Sequence, residues 1–275
     1  MRSYLKTKDF SVTGESFELL HDESLDMLVT HPQPQNSSAY YKSESYISHS
    51  DSRNNLIEKL YHWVKGYMLR RKMKLLGQWC GHERSLLDIG AGSGDFVLRA
   101  QKEGWSATGV EPSTYARERA HEKGVSLKAD LNAVADRKFQ TVTLWHVLEH
   151  LPELEKQAAV ISGLLAEEGT LFIAVPNFRS YDARHYAEFW AAYDVPRHLW
   201  HFSQTSMAKL FEGHGLKVVK THPMFYDAFY VSMLSEKYKK NPLWWFTFPW
   251  VGLWSNVKAA FSGEYSSLIY ILKRK

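Results

Sequence analysis

Three carboxylates stand where a nucleoside-binding corner would need them. Asp88 lies inside the apolar run SLLDIG, which breaks into Gly90, Ala91, Gly92 and Gly94. Glu111 follows 23 residues later in GVEPS, with Pro112 next to it, and Asp130 closes KADL ahead of Leu131. A short apolar run ending in glycines reads as a buried strand and a tight turn. Phe96, Val97 and Ala100 then recur at helical spacing, which completes a strand–turn–helix corner. Such a corner takes a dinucleotide when its glycines run G-x-G-x-x-G. Here they run G-x-G-x-G, and Asp95 holds the position of the third fingerprint glycine. A pyrophosphate beside two carboxylates would be repelled by about 1 kcal/mol or more at intermediate dielectric. A ligand carrying an ammonium would be attracted instead. Glu111, at the end of the next strand, is placed to accept from two ribose hydroxyls, and Asp130 from an exocyclic adenine amine.

Those side chains need a sheet whose strand ends line up. From Ser85 onward, strands and helices alternate: strands at 85–90, 105–111, 125–129, 139–145 and 170–175, with helices at 94–103, 113–123 and 153–166 between them. Strands 216–221 and 267–272 bring the expected count to seven. This pattern predicts an α/β fold, a Rossmann-like doubly wound and mostly parallel sheet with right-handed crossovers. Ser203 reads as the N-cap of a helix over 204–212, with Phe202 and Met207 as its staple. Ahead of the sheet, period-two apolar positions at 9–30 predict a hairpin, the connector HPQPQNSS follows, and helical spacing with a basic polar face covers 52–79. The expected organisation is a hairpin and connector at 1–40, a helical lead-in at 41–82 and the α/β domain at 83–275. Cap inserts are expected at about 177–202 and 225–261.

Composition sets outer bounds. The chain has 275 residues, is 44% hydrophobic and carries a net charge of +4, enough for a full core but far from the charge density of a dedicated nucleic-acid protein. Its single cysteine, Cys80, excludes an internal disulfide and fits a reducing, cytoplasmic compartment. The N-terminal residues show no secretory h-region, and no run reaches the ~18 apolar residues of a membrane span. The aromatic run NPLWWFTFPWVGLW, interrupted by Pro249, is expected to pack as core or lid, with peripheral membrane contact as the alternative.

LLDIGAGSGDF, GVEPS, KADL and FQTVTLWHVLEHLPEL together resemble successive motifs of the class I S-adenosylmethionine-dependent methyltransferases. DVPRHLWHFS, residues 194–203, resembles the later motif of one subfamily within that class. The resemblance covers roughly residues 83–178 and implies S-adenosyl-L-methionine as cofactor. Gly90, Ala91, Gly92 and Gly94 would admit the methionyl part and Asp88 would face its ammonium. Glu111 and Pro112 would hold the ribose, Asp130 and Leu131 frame the adenine, and Trp145 and His146 lie near the methyl group. Relatives often carry a Cys-pair zinc ribbon at the N-terminus; this chain has no cysteines there, so its hairpin stands without metal.

Methyl transfer from a sulfonium asks an enzyme to align donor and acceptor and to exclude water. An oxygen acceptor additionally needs a base, and histidine is the natural one near neutral pH. His146, His150 and His198, with Asp194 as partner, are the catalytic candidates. Arg197, His201, Trp190 and Tyr181 are the candidates for holding the acceptor, in a segment expected to cover the strand ends. HVLEH also matches H-x-x-E-H, a zinc-protease signature, but it directly follows a strand rather than lying on one helix face. A divalent ion at Glu149 and His150 is an open alternative, although no metal ligand is assigned. The acceptor expected is a small or lipid-linked molecule. Nucleic acid is disfavoured, since no Asn-Pro-Pro-Tyr type motif follows the fourth strand. The rival readings are a non-catalytic module recruiting a partner or membrane through its aromatic insert, and a dehydrogenase, which the glycine spacing disfavours.

Overall fold

The computed structural model describes residues 1–34, Tyr40, 56–81 and 83–275, with residues 56–65 by backbone only. Part of the expected connector, at 35–38, and the expected helix start at 52–55 lie outside the described residues.

The central sheet has strands β4 (Ser85–Ile89), β5 (Ser106–Val110), β6 (Phe139–Trp145), β7 (Leu165–Pro176), β9 (Leu216–Pro223) and β10 (Ser267–Arg274), in the order β5-β4-β6-β7-β10-β9. The β5, β4, β6 and β7 pairings are parallel, and β10 runs antiparallel between β7 and β9. Both faces are covered, as a parallel sheet requires. Leu87, Leu171, Ile173 and Val175 face helices α4 (Leu154–Leu164) and α6 (Gln204–Glu212). Leu86, Phe172 and Ala174 alternate with them and face helices α1 (Leu56–Trp79) and α2 (Asp95–Lys102). Each large apolar side chain of these, fully buried, contributes about 1.5–3 kcal/mol.

Among the described residues the sheet has six strands rather than the seven expected. Residues 125–129 reach β5 at a single parallel bridge, where Lys128 N donates to Gly109 O and Lys128 O accepts from Glu111 N. Upstream, Gly124 turns the chain with φ +82° after helix α3 (Thr114–Glu122), and Val125 packs against Val97 and Ala120. Only one residue is left to meet the strand.

The N-terminal segment is larger than a hairpin. β1 (Arg2–Lys8), β2 (Ser16–Asp22) and β3 (Met27–His31) form an antiparallel meander, and β3 takes on β8 (Trp200–His201) as a fourth strand. Phe17, Leu19 and Leu28 share a core with Phe178, Tyr186, Trp190, Tyr193 and Val195. The segment 177–202, with its short helix α5 (Tyr181–Tyr186), is therefore the platform on which the N-terminal sheet sits. After β9 the chain forms α7 (Asp227–Tyr238) and α8 (Trp244–Ser262) before closing with β10.

Candidate active site

The glycine corner is built by β4 and the start of α2. Gly90, Gly92 and Gly94 all have positive φ, which L side chains rarely adopt. At Gly90 a Cβ would also lie 2.4 Å from Val147 Cγ2, whereas beside Gly92 the space is open. Bare backbone at 92 therefore faces room for a ligand, and Ala91 beside it donates its N–H to Val110 O.

The three carboxylates occupy graded environments around this space. Asp88 is buried and accepts a hydrogen bond from Thr143 Oγ1 at 2.6 Å. Burial pushes its pKa up to about 7, against the lowering influence of Thr143 and of the Lys72 ammonium. Glu111 is half-buried, and its two oxygens accept from the backbone N–H groups of Gly92 (2.8 Å) and Ser113 (2.9 Å). That bridge ties the end of β5 to the glycine turn. Asp130 is exposed and accepts from Asn132 N at 2.8 Å, capping the turn that begins at Leu131, while Pro112 is exposed at the rim.

Two residues that sequence reasoning missed reach the same space. Lys72 sits in the run read as a solvated basic face, yet its Nζ lies 4.3 Å from the ring centre of Trp145. Burial draws its ammonium down to about 8, with Asp88 and Asp227 pulling the other way. Asp227, the first residue of α7, sits 3.2 Å from His146 Nε2. The helical spacing around Lys72 held its signal, since that residue shares the turn of buried Met73, Leu75 and Leu76. Asp227 gave none.

At the end of β6 the histidines separate into different roles. His146 has φ +55°, with Nδ1 3.3 Å from Glu149 Oε1 and Nε2 facing Asp227. Burial alone would lower its pKa, but Asp227 and Glu149 outweigh that and raise it to about 10. The two carboxylates favour its cationic form, against its expected role as a base. His150 Nδ1–H donates to Arg197 O at 2.9 Å, which fixes the orientation of the ring. His198 is likewise fixed by donation from Nδ1 to Ala192 O at 2.9 Å, and burial holds its pKa well below the usual imidazole value. The two rings meet edge to face, 4.5 Å between centres. Glu149, His150 and His198 bring ligand atoms within 4.8 Å of one another, a carboxylate and two imidazoles of the kind that hold zinc or iron(II).

The expected acceptor-binding residues lie elsewhere. Arg197 is only 2% exposed. It is ion-paired with Asp194 (2.6 Å) and Asp9 (2.9 Å) and bonded to Ser11 and to Tyr40 O. Its donors are used in joining the N-terminal sheet to the platform, and Asp194 is used with it. His201 Nε2–H donates to Thr30 Oγ1 at 3.0 Å, and burial lowers its pKa to about 3. Trp190 is buried, with its indole N–H on Asp182 at 2.8 Å. Tyr181 stacks on His185, away from the corner. Arg197, His201 and Trp190 are corrected from acceptor ligands to fasteners and packing of the N-terminal half.

The sequence model of the methyltransferase domain family matches residues 60–221, more than half of the chain. The chain belongs to that family. Its fold is that of the class I S-adenosylmethionine-dependent methyltransferases, and S-adenosylmethionine is the cofactor of the class. Over 122 residues the chain is 26% identical to ubiquinone biosynthesis O-methyltransferase of Salmonella paratyphi A, covering 41% of this chain and 48% of that one. It is 36% identical over 103 residues to an ATP synthase lysine N-methyltransferase of Mus musculus, covering 34% of this chain and 40% of the other. The chain spans about half the length of the curated relatives it matches. Magnesium protoporphyrin IX methyltransferase from Synechocystis PCC 6803, solved with bound S-adenosylhomocysteine, superimposes with a TM-score of 0.56 at 14% identity, over 86% of this chain and 97% of that one. A methyltransferase from Archaeoglobus fulgidus does so with a TM-score of 0.52 at 19% identity, over 76% and 94%.

The residues present fit the cofactor. The open backbone at Gly92 leaves room for a methionyl arm, the buried carboxylate of Asp88 suits an ammonium, and Glu111 and Asp130 put acceptors at the next two positions along the sheet edge.

Proposed function

We propose that this chain transfers a methyl group to an oxygen of a small or lipid-linked acceptor. The observation that carries the reading is the position of His150. Donation from Nδ1 to Arg197 O orients its ring at the turn that follows β6. S-adenosylmethionine, when bound, supplies a methyl group already activated on sulfur. The chain's own residues do the rest. Asp88 would hold the ammonium, Glu111 the ribose hydroxyls and Asp130 the adenine amine. His150 would accept the acceptor's hydroxyl proton at Nε2. The cationic His146 would anchor Glu149 on one side and Asp227 on the other, fixing the floor of the site. The name of the ubiquinone biosynthesis O-methyltransferases supports oxygen as the acceptor atom. That of the lysine N-methyltransferases supports nitrogen. A base at His150 would favour oxygen of the two, because an oxygen acceptor depends on it more heavily.

The test is methyl transfer from labelled S-adenosylmethionine into a lipid extract, for the wild-type chain and for His150→Gln. The expected loss is about 10²–10⁴-fold in kcat with cofactor affinity unchanged. Full activity in His150→Gln, or label appearing only on amines, would contradict the reading. Label in no product while the cofactor binds would favour the non-catalytic module.

A further inference from the structure

We propose that α8 is a docking face for an anionic lipid surface. The aromatic run was expected to be core or lid, and the structure turns it outward. Phe246, Trp250, Leu253, Trp254, Val257 and Phe261 recur at spacings of three and four and are 38–90% exposed. The inward face of the same helix is made of small residues, with Gly252, Ser255 and Ala259 buried. A Cβ at Gly252 would lie 2.7 Å from Phe229, so the helix is seated closely on α7. Ser255 Oγ donates to the buried Asp182 at 2.6 Å, and Asn256 Nδ2 to Phe225 O at 3.0 Å. The orientation is therefore fastened, with its large side chains directed away from the protein body.

An exposed helical stripe of Trp, Phe and Leu marks an interaction surface, and the charge around it selects the occupant. Residues 237–262 contain Lys237, Lys239, Lys240 and Lys258, all exposed, and no aspartate or glutamate. Lys237 Nζ lies 4.7 Å from the ring centre of Trp244, and Lys258 Nζ 5.2 Å from that of Trp254. Indole rings bordered by ammonium groups match the boundary between headgroups and acyl chains, and the positive rim matches anionic headgroups. No described helix is long and apolar enough to cross a membrane, so the stripe lies on the surface rather than spanning it.

The placement deepens the reading of a lipid-linked acceptor and rests on it only for its purpose. Asp227 opens α7 at His146, and the exposed Phe225 and Tyr226 precede it. Asn256 ties α8 to this same turn. The apolar face is thus joined to the rim of the active site, where an acceptor carried in a bilayer could be presented.

The test floats the full chain with phosphatidylcholine vesicles, with and without about a quarter phosphatidylglycerol, in the absence of cofactor and acceptor. Vesicle binding is then read separately from methyl transfer. We expect binding to rise about tenfold or more with the anionic lipid. The paired change Trp250→Glu and Trp254→Glu should abolish it while calorimetric affinity for S-adenosylmethionine is unchanged, which also reports folding. Lys239→Glu with Lys240→Glu should remove the anionic increment. In the wild-type chain, brominated acyl chains should quench tryptophan fluorescence, a readout that needs no variant. Absence of binding to either vesicle, or binding untouched by the tryptophan pair, would overturn the proposal. So would a dimer that the tryptophan pair dissociates while vesicles stay unbound, since the face would then belong to a second copy.

Discussion

The glycine corner and the segment 194–203 carry the same kinds of residue and use them in opposite ways. At the corner the space beside Gly92 is open, Glu111 accepts from the Gly92 N–H, and Asp88 and Asp130 stand on the segments to either side of β5. In DVPRHLWHFS, Asp194, Arg197, His198 and His201 are directed into the protein, where Asp9, Ser11, Thr30 and Ala192 O take up their polar atoms. The corner carboxylates accept one or two hydrogen bonds each, which leaves acceptor capacity over, whereas the other region spends its polar groups on joining the N-terminal sheet to the rest of the fold. Residue type alone does not tell these apart. What does is whether a partner elsewhere in the chain saturates the group.

The largest effect that would break this comparison belongs to Arg197. Arg197→Ala leaves Asp9 and Asp194 facing each other without their cation, and removing one partner from a buried pair costs about 3–5 kcal/mol. Urea denaturation should show that loss. A variant of wild-type stability that had lost only methyl transfer would return Arg197 to the acceptor site. Next in size, Glu111→Ala should weaken S-adenosylmethionine by about 1.5–3 kcal/mol through its ribose contacts, and Asp130→Ala by less because that carboxylate is exposed. Competition binding ranks the two; the reverse order would mean the cofactor lies differently along the sheet edge.

A third effect sharpens the chemistry of the corner. The pKa of Asp88 is raised to about 7, so protons compete there with a ligand ammonium. Cofactor affinity should be level above that pH and fall by about tenfold per unit below it, the slope of one bound proton. Asp88→Asn should flatten the profile. The smallest effect concerns His146, whose pKa is raised to about 10. A raised folded-state pKa contributes stability that is complete below the unfolded value near 6.5 and is lost as pH climbs through about 10. Thermal midpoints should therefore drift down between these limits in the wild-type chain and less so in His146→Gln. An identical drift in both would remove the paired carboxylates from the explanation.

Much of the fold was legible because local patterns and the sheet agree. Leu86 and Leu87 sit side by side in sequence and enter different cores, as a strand covered on both faces demands. The corner was legible because glycines at positive φ and strand-end carboxylates are local features. The fasteners were not, since the Asp9–Arg197 bond spans 188 residues and no local spacing records it. Residues 125–129 look like a strand in sequence, but whether they pair depends on where Gly124 delivers them. In α8 the aromatic run was plain, yet its inward face is the small one, because Gly252 lets Phe229 approach. A periodic stripe marks a face; what packs closely on the opposite side decides which way it points.

Asp88 is the group on which the cofactor reading of the Gly92 corner turns, since its buried carboxylate is the one matched to the ammonium of S-adenosylmethionine. Calorimetric titration of the cofactor at pH 8, where Asp88 is ionised, tests this on the wild-type chain and on Asp88→Asn. We expect a single site in the wild-type chain, weakened about tenfold or more by the substitution, with no fall in thermal midpoint. No heat of binding in the wild-type chain, or equal affinity in both, would contradict it.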